Sequence, residues 1–111
     1  MMTIDRTHIC RVFAAYAARY DDTNPKIRLK IDHTYRVAAL CDEISQSLAL
    51  SSADCDLAWV IGMLHDVGRF EQVRRYNTFS DADSVDHAAL GVELLFEKGL
   101  IRDYLPDAPW D

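Results

Sequence analysis

Apolar residues return along this chain every three or four positions and almost nowhere in strict alternation. That period puts them on one side of an α-helix and not on one face of a strand. In the first segment Ile9, Val12, Phe13, Tyr16, Ala17 and Tyr20 share a side, with Thr3 placed to cap a helix that extends to about Tyr20. Asp21-Asp22-Thr23-Asn24-Pro25 is a polar turn ending in a breaker. Beyond it His33, Val37, Leu40, Cys41, Ile44 and Leu48 form a second stripe, expected to face the core. Ser51 and Ser52 restart the chain, and Asp54 lies near the new helix N-terminus. The third helix carries Leu57, Ala58, Ile61, Leu64 and His65 as one stripe. Trp59, Val60 and Met63 make it apolar nearly all round, so it is expected to be central. Gly68 suits its C-terminal cap. Residues 70–77 predict a short helix with Phe70, Val73 and Tyr76 on one side, and 77–84 a loop. Asp83 or Ser84 is the expected cap of a further helix to about Lys98, followed by Gly99 and one closing turn over 100–105. No segment reads as a strand. The expected class is all-α, an antiparallel bundle of about five helices.

Composition narrows the function classes. A chain of 111 residues, half of them apolar, allows one domain with a single core. A net charge of −6 argues against gripping a nucleic-acid backbone. It leaves room for a small phosphorylated ligand, which needs only a few local cations. Three cysteines, an odd number without C-x-x-C spacing, read as reduced thiols of a cytoplasmic protein. The opening MMTIDRTHICR has no long apolar stretch, so no secretory signal is expected, and no run reaches the length of a membrane span.

The histidines carry the chemistry. From His33 to Leu48 is roughly 22 Å of helix, and from Ser52 to His65 roughly 20 Å. A short connection makes the two helices antiparallel neighbours. Both imidazoles then fall at one level of the hairpin, and Asp66 follows His65 at a helix end where its carboxylate can turn toward them. Two imidazoles and a carboxylate are a partial ligand set for a divalent transition ion. A single histidine on an apolar face is more often a core residue bonded to a carbonyl. Spacing alone leaves both readings open.

The stretches IDHTYRVAALCDEIS (His33), IGMLHDVGRFEQ (His65, Asp66) and NTFSDADSVDHAALGVELL, taken in that order, resemble the HD superfamily of metal-dependent phosphohydrolases over about residues 25–105. The resemblance implies an HD-type helical domain and a divalent metal ion of the Mn, Mg, Fe, Co or Ni type. It implies hydrolysis of a phosphoester in a small, nucleotide-like substrate. His33, His65 and Asp66 are the matching ligands, and His87 is a candidate for a second metal or a phosphate. The family also supplies a final Asp ligand from a later helix. Here Asp103, Asp107 and Asp111 are candidates only by residue type. Residues 1–111 are therefore expected to be a single, incomplete HD-type domain, with self-association through the face left open.

Arg69, after the His-Asp-Val-Gly turn, is a candidate to neutralise a phosphate oxygen, with Asp66 the other catalytic candidate. Asp86 reads as a first-turn acid and Glu71 as a solvated acid or a carboxylate behind the site. Arg74 and Arg75 are expected in solvent, as is the Lys26, Arg28 and Lys30 cluster, with phosphate steering as its second reading. His8 is expected to be structural. The competing function is a non-catalytic helical module that binds a metal, a nucleotide or a partner. A third reading has no metal at all.

Overall fold

The computed structural model describes residues 3–109. Among them it is all helix and loop, as the apolar period requires. α1 spans Arg6–Ala17, α2 Pro25–Ser47, α3 Ser52–Leu64 and α4 Val67–Tyr76. α5, His87–Val92, runs straight into a π-helical turn over Glu93–Glu97, and α6, Ile101–Tyr104, is a single closing turn.

The start signals lie close to where the sequence puts them. Asn24 caps α2 through the Lys26 amide, and Pro25 occupies the first turn, where its missing N–H costs nothing. Ser51 caps α3 through Asp54 N–H. Two caps differ from expectation. Asp5, not Thr3, caps α1 by accepting from His8 N–H, and the helix ends at Ala17, short of Tyr20. Asp86, not Asp83 or Ser84, caps α5 by accepting from Ala88 and Ala89 N–H. In both cases the cap is the carboxylate directly before the first helical residue, from where it reaches a free amide of the first turn; Thr3, Asp83 and Ser84 lie too far upstream. α4 begins at Val67, three residues earlier than expected, and ends at Asn77 in the left-handed conformation (φ 50°, ψ 39°).

α2 and α3 form the antiparallel hairpin, joined through residues 48–51. Their facing sides are not the stripes of largest residues. Leu40, Ile44 and Leu48 are 55%, 58% and 67% exposed, and Leu57 and Ile61 also face outward. α2 instead buries Ile27, Thr34, Ala38 and Ser45, and α3 buries Cys55, Trp59, Val60, Gly62, Met63 and Leu64. Size decides this. A Cβ on Gly62 would sit 2.6 Å from Ala38 Cα, so the hairpin closes where both helices are small. The expectation that His33 and His65 ride on core-facing stripes is corrected accordingly. Both sit at the border of the buried face.

The core lies where α1 crosses the hairpin and α4. Phe13 and Tyr16 meet Phe70 edge-on, with ring centroids 5.8 and 5.7 Å apart, and Met63, Val67 and Tyr104 close the space. No helix among the described residues is long and apolar enough to cross a membrane. Cys10, Cys41 and Cys55 are unpaired, with Cys55 buried.

Gly68 caps nothing. It lies inside α4, where a Cβ would meet His87 O at 2.2 Å and Gly91 N at 2.7 Å. Gly91 faces the same contact but has room, since its Cβ would meet Gly68 N at 3.5 Å. Gly68→Ala should therefore cost about 1–3 kcal/mol in urea unfolding, because backbone must give way. Gly91→Ala should be neutral, or stabilising by up to about 1 kcal/mol through helix propensity. Equal costs for the two would mean that the α4–α5 contact is looser than the structure has it.

Candidate metal centre

α3 stops at Leu64 and α4 starts at Val67, so only His65 and Asp66 span the break. Asp66 occupies the residue before α4, the usual capping place, yet its side chain caps no amide. It turns instead toward α2, where Oδ2 lies 3.3 Å from His33 Nε2 and 3.3 Å from His65 Nε2. The two Nε2 atoms are themselves 3.3 Å apart, with ring centroids at 5.3 Å. The convergence expected from helix lengths is thus present. His65 Nδ1 is 2.6 Å from Gly62 O. A carbonyl can only accept, so Nδ1 carries the hydrogen, and in the neutral ring Nε2 keeps its lone pair for the shared space.

This triangle fits an ion. Metal bonds of 2.0–2.2 Å put neighbouring ligand atoms roughly 3.0–3.4 Å apart, the spacing found here. Two imidazole nitrogens and one carboxylate oxygen suit a divalent transition ion and leave positions for other ligands. Asp66, only 7% exposed, needs positive charge beside it. Lys30 supplies some, with Nζ 3.0 Å from Oδ2. The sequence suggested a solvated face for Lys30. It is mostly buried and lies over the Phe79 ring, while Arg28 points to solvent as expected. Being three residues before His33 places it on the same side of α2, a signal the spacing did contain.

Electrostatics follow from these contacts. Burial would push the Asp66 carboxyl up, but hydrogen bonds with His65 and Lys30 outweigh it and hold the group far below the usual carboxylate range. The bond to Asp66 raises His65 against its own burial. Burial, then the Lys30 charge, lowers His33.

His87 joins the site from α5. Its Nε2 lies 3.8 Å from Oδ1, the other oxygen of Asp66, and its Nδ1 lies 2.8 Å from Asp81 Oδ2. The hydrogen bond with His87, helped by that from Gln72, outweighs the upward push of burial and brings the Asp81 carboxyl down to about 2. Sequence reasoning missed Asp81, because a loop residue has no period to betray where it points. Arg69 is near but engaged. Its Nη1 donates to Gln72 Oε1, Phe79 O and Asp81 Oδ1 at 2.9, 2.9 and 3.0 Å. Glu71 is not solvated as expected. It is buried and takes hydrogen bonds from Tyr20, Arg74 and Arg75, whose outer portions stay in solvent. His8 is structural, 2.7 Å from the Asp103 carbonyl. Of the candidates for a further ligand, Asp103 and Asp107 are exposed and belong to neither of the two ion-sized groups among the described residues. Asp111 lies outside those residues.

Two outcomes follow for protein freed of metal with chelator. Lys30→Met should lower stability by about 1–3 kcal/mol, since a buried carboxylate loses a partner, while tightening Mn²⁺ binding in calorimetry because a competing cation is gone. Unchanged Mn²⁺ affinity would show that Lys30 does not compete for Oδ2. The second outcome concerns pH. Asp66, depressed in the fold, stabilises above about pH 4 and loses that contribution as pH falls toward its native value; His65, raised, stabilises below about pH 6.5 and loses its share as pH rises through its native value. The stability gap between wild type and Asp66→Asn should therefore be widest between about pH 4 and pH 6.5. A gap independent of pH would contradict the assigned pairing.

No curated protein and no solved structure matches the chain significantly. The family described as HD domain matches residues 31–108, a span that holds His33, His65, Asp66, Asp81 and His87. That match covers most of the chain and agrees with the all-helical fold and with the histidine–aspartate triangle, and the chain belongs to the HD domain family.

Proposed function

We propose that this protein is a metal-dependent phosphohydrolase that cleaves a phosphoester in a small, nucleotide-like substrate. The observation that carries this reading is the 3.3 Å triangle of His33 Nε2, His65 Nε2 and Asp66 Oδ2. These three atoms would hold a divalent ion. Such an ion supplies Lewis acidity, toward water as the nucleophile and toward a phosphoryl oxygen.

The chain's own residues do the rest. The Gly62 carbonyl keeps His65 in the ligating tautomer. Asp66 turns Oδ2 toward the triangle and presents Oδ1 to His87 Nε2, so Asp66 and His87 are the residues that would hold a second ion. Lys30 adds a positive charge beside the site that favours an anionic substrate. Arg69 makes its contacts through Nη1, which leaves Nη2 as the donor for a phosphate oxygen. The unpaired thiols suit a reducing, cytoplasmic setting.

One observation favours a second reading, a non-catalytic module acting through association. A cleft of about 410 Å³, bordered by Leu57, Ile61, Val92 and Phe96, opens beside His65 and is almost wholly apolar. Exposed apolar surface of this kind promotes self-association.

The two readings separate in one experiment. Protein purified without chelator is given Mn²⁺ with an aryl phosphodiester and a panel of nucleotides. Hydrolysis that falls more than about 100-fold in His65→Ala, together with loss of Mn²⁺ uptake, is expected of the enzyme. Mn²⁺ uptake without turnover supports the module, and turnover untouched by His65→Ala overturns the assignment of the site.

A further inference from the structure

We propose that Asp81 is a positioning residue for His87. It fixes the imidazole with the hydrogen on Nδ1 and turns the Nε2 lone pair to the second oxygen of Asp66. The inference rests on the metal-centre reading above and extends it to a loop residue outside the triangle.

The two carboxylate oxygens of Asp81 divide the work between two helices. Oδ1 is held from α4, by Arg69 Nη1 at 3.0 Å and Gln72 Nε2 at 2.9 Å. Oδ2 meets α5, with His87 Nδ1 at 2.8 Å and His87 N–H at 3.4 Å. Gln72 is fully buried and also donates to Ser84 Oγ at 3.0 Å, while Arg69 donates to the Phe79 carbonyl. The loop from Asn77 to Asp86 is thereby tied to α4 at both ends, and Asp81 has little freedom to turn.

An ionised carboxylate only accepts hydrogen bonds, so His87 Nδ1 must be the donor. In the neutral ring Nε2 is then an acceptor. It faces Asp66 Oδ1, also an acceptor, across 3.8 Å, and no protein donor among the described residues reaches Oδ1. Two acceptors facing one another are stabilised by a cation between them. Without Asp81 the ring is free to adopt the other tautomer, in which Nε2–H donates to Asp66 and the gap is closed to a cation. Asp86 caps α5 and both Asp81 oxygens are engaged. The trio Asp81, Asp86 and His87, with ligand atoms within 4.8 Å of one another, therefore acts as a clamp and not as an ion site of its own.

Long-range ¹H–¹⁵N NMR on metal-free protein at pH 8, where an ordinary imidazole is neutral, reads the tautomer directly. Wild-type His87 should show Nδ1 protonated, and Asp81→Ala should shift the ring toward the Nε2–H form. Mn²⁺ titration of the same proteins should show the His87-dependent binding step weakened about 10–100-fold by Asp81→Ala. Asp81→Asn keeps an acceptor oxygen and should restore part of it. In a His87→Ala background, Asp81→Ala should add no further loss, which separates positioning through His87 from a general effect on the loop. If Asp81→Ala does not fold, Asp81→Asn carries both measurements. A wild-type His87 protonated at Nε2, or losses that add in the double variant, overturns the proposal. A wild type that takes up no Mn²⁺ overturns the metal reading instead, and the tautomer then decides the role of Asp81.

Discussion

A carboxylate removed from water must be met by positive charge or by donors, and Asp66 is the place where this fold meets that demand. Its side chain is 7% exposed and makes no helix cap. The partners come from three helices: Lys30 and His33 from α2, His65 from the end of α3 and His87 from α5. Asp66 lies in the break between α3 and α4 with non-helical φ −115° and ψ 17°, and its carboxylate turns toward α2 instead of capping α4. The start of α4 also helps, since the positive end of a helix dipole favours an anion there.

Distances in the site are set by small residues elsewhere. Gly62 allows α3 to lie on Ala38 of α2, which brings the two imidazoles to one level. Gly68 allows α5 to lie on α4, which brings His87 to the far oxygen of Asp66. Side chains larger than hydrogen at Gly62 or Gly68 would spread the helices by more than the slack in a metal–ligand bond. The glycines thus act on the chemistry without touching it.

This explains which parts were legible in the sequence. The helices, their polar breaks and the shared level of His33 and His65 follow from period and length, and the structure reproduces them. The buried faces do not follow from period, because α2 and α3 carry apolar residues on more than one side. Leu40, Ile44 and Ile61 are larger than Ala38, Ser45 and Gly62 and look more like core, yet closeness of approach selects the small ones. Gly68 carries the signature of a helix cap and serves instead as a contact. Asp81 gives no signal at all, since its position depends on the path of a loop that is held by Arg69 and Gln72.

α4 links these pieces mechanically. Asp66, Arg69 and Gln72 are spaced by three residues, which keeps them near one side of the helix and its N-terminal approach. The first supplies the shared carboxylate. The other two hold Asp81, and through it the ring of His87. Gly68, next to Arg69, seats the start of α5 on the same helix. Both oxygens of Asp66 and the nitrogen facing one of them are therefore referred to a single ten-residue helix. Of the partners of Asp66, His87 is thus tied back to α4 through Asp81, whereas His33 and Lys30 belong to α2 and His65 to the end of α3.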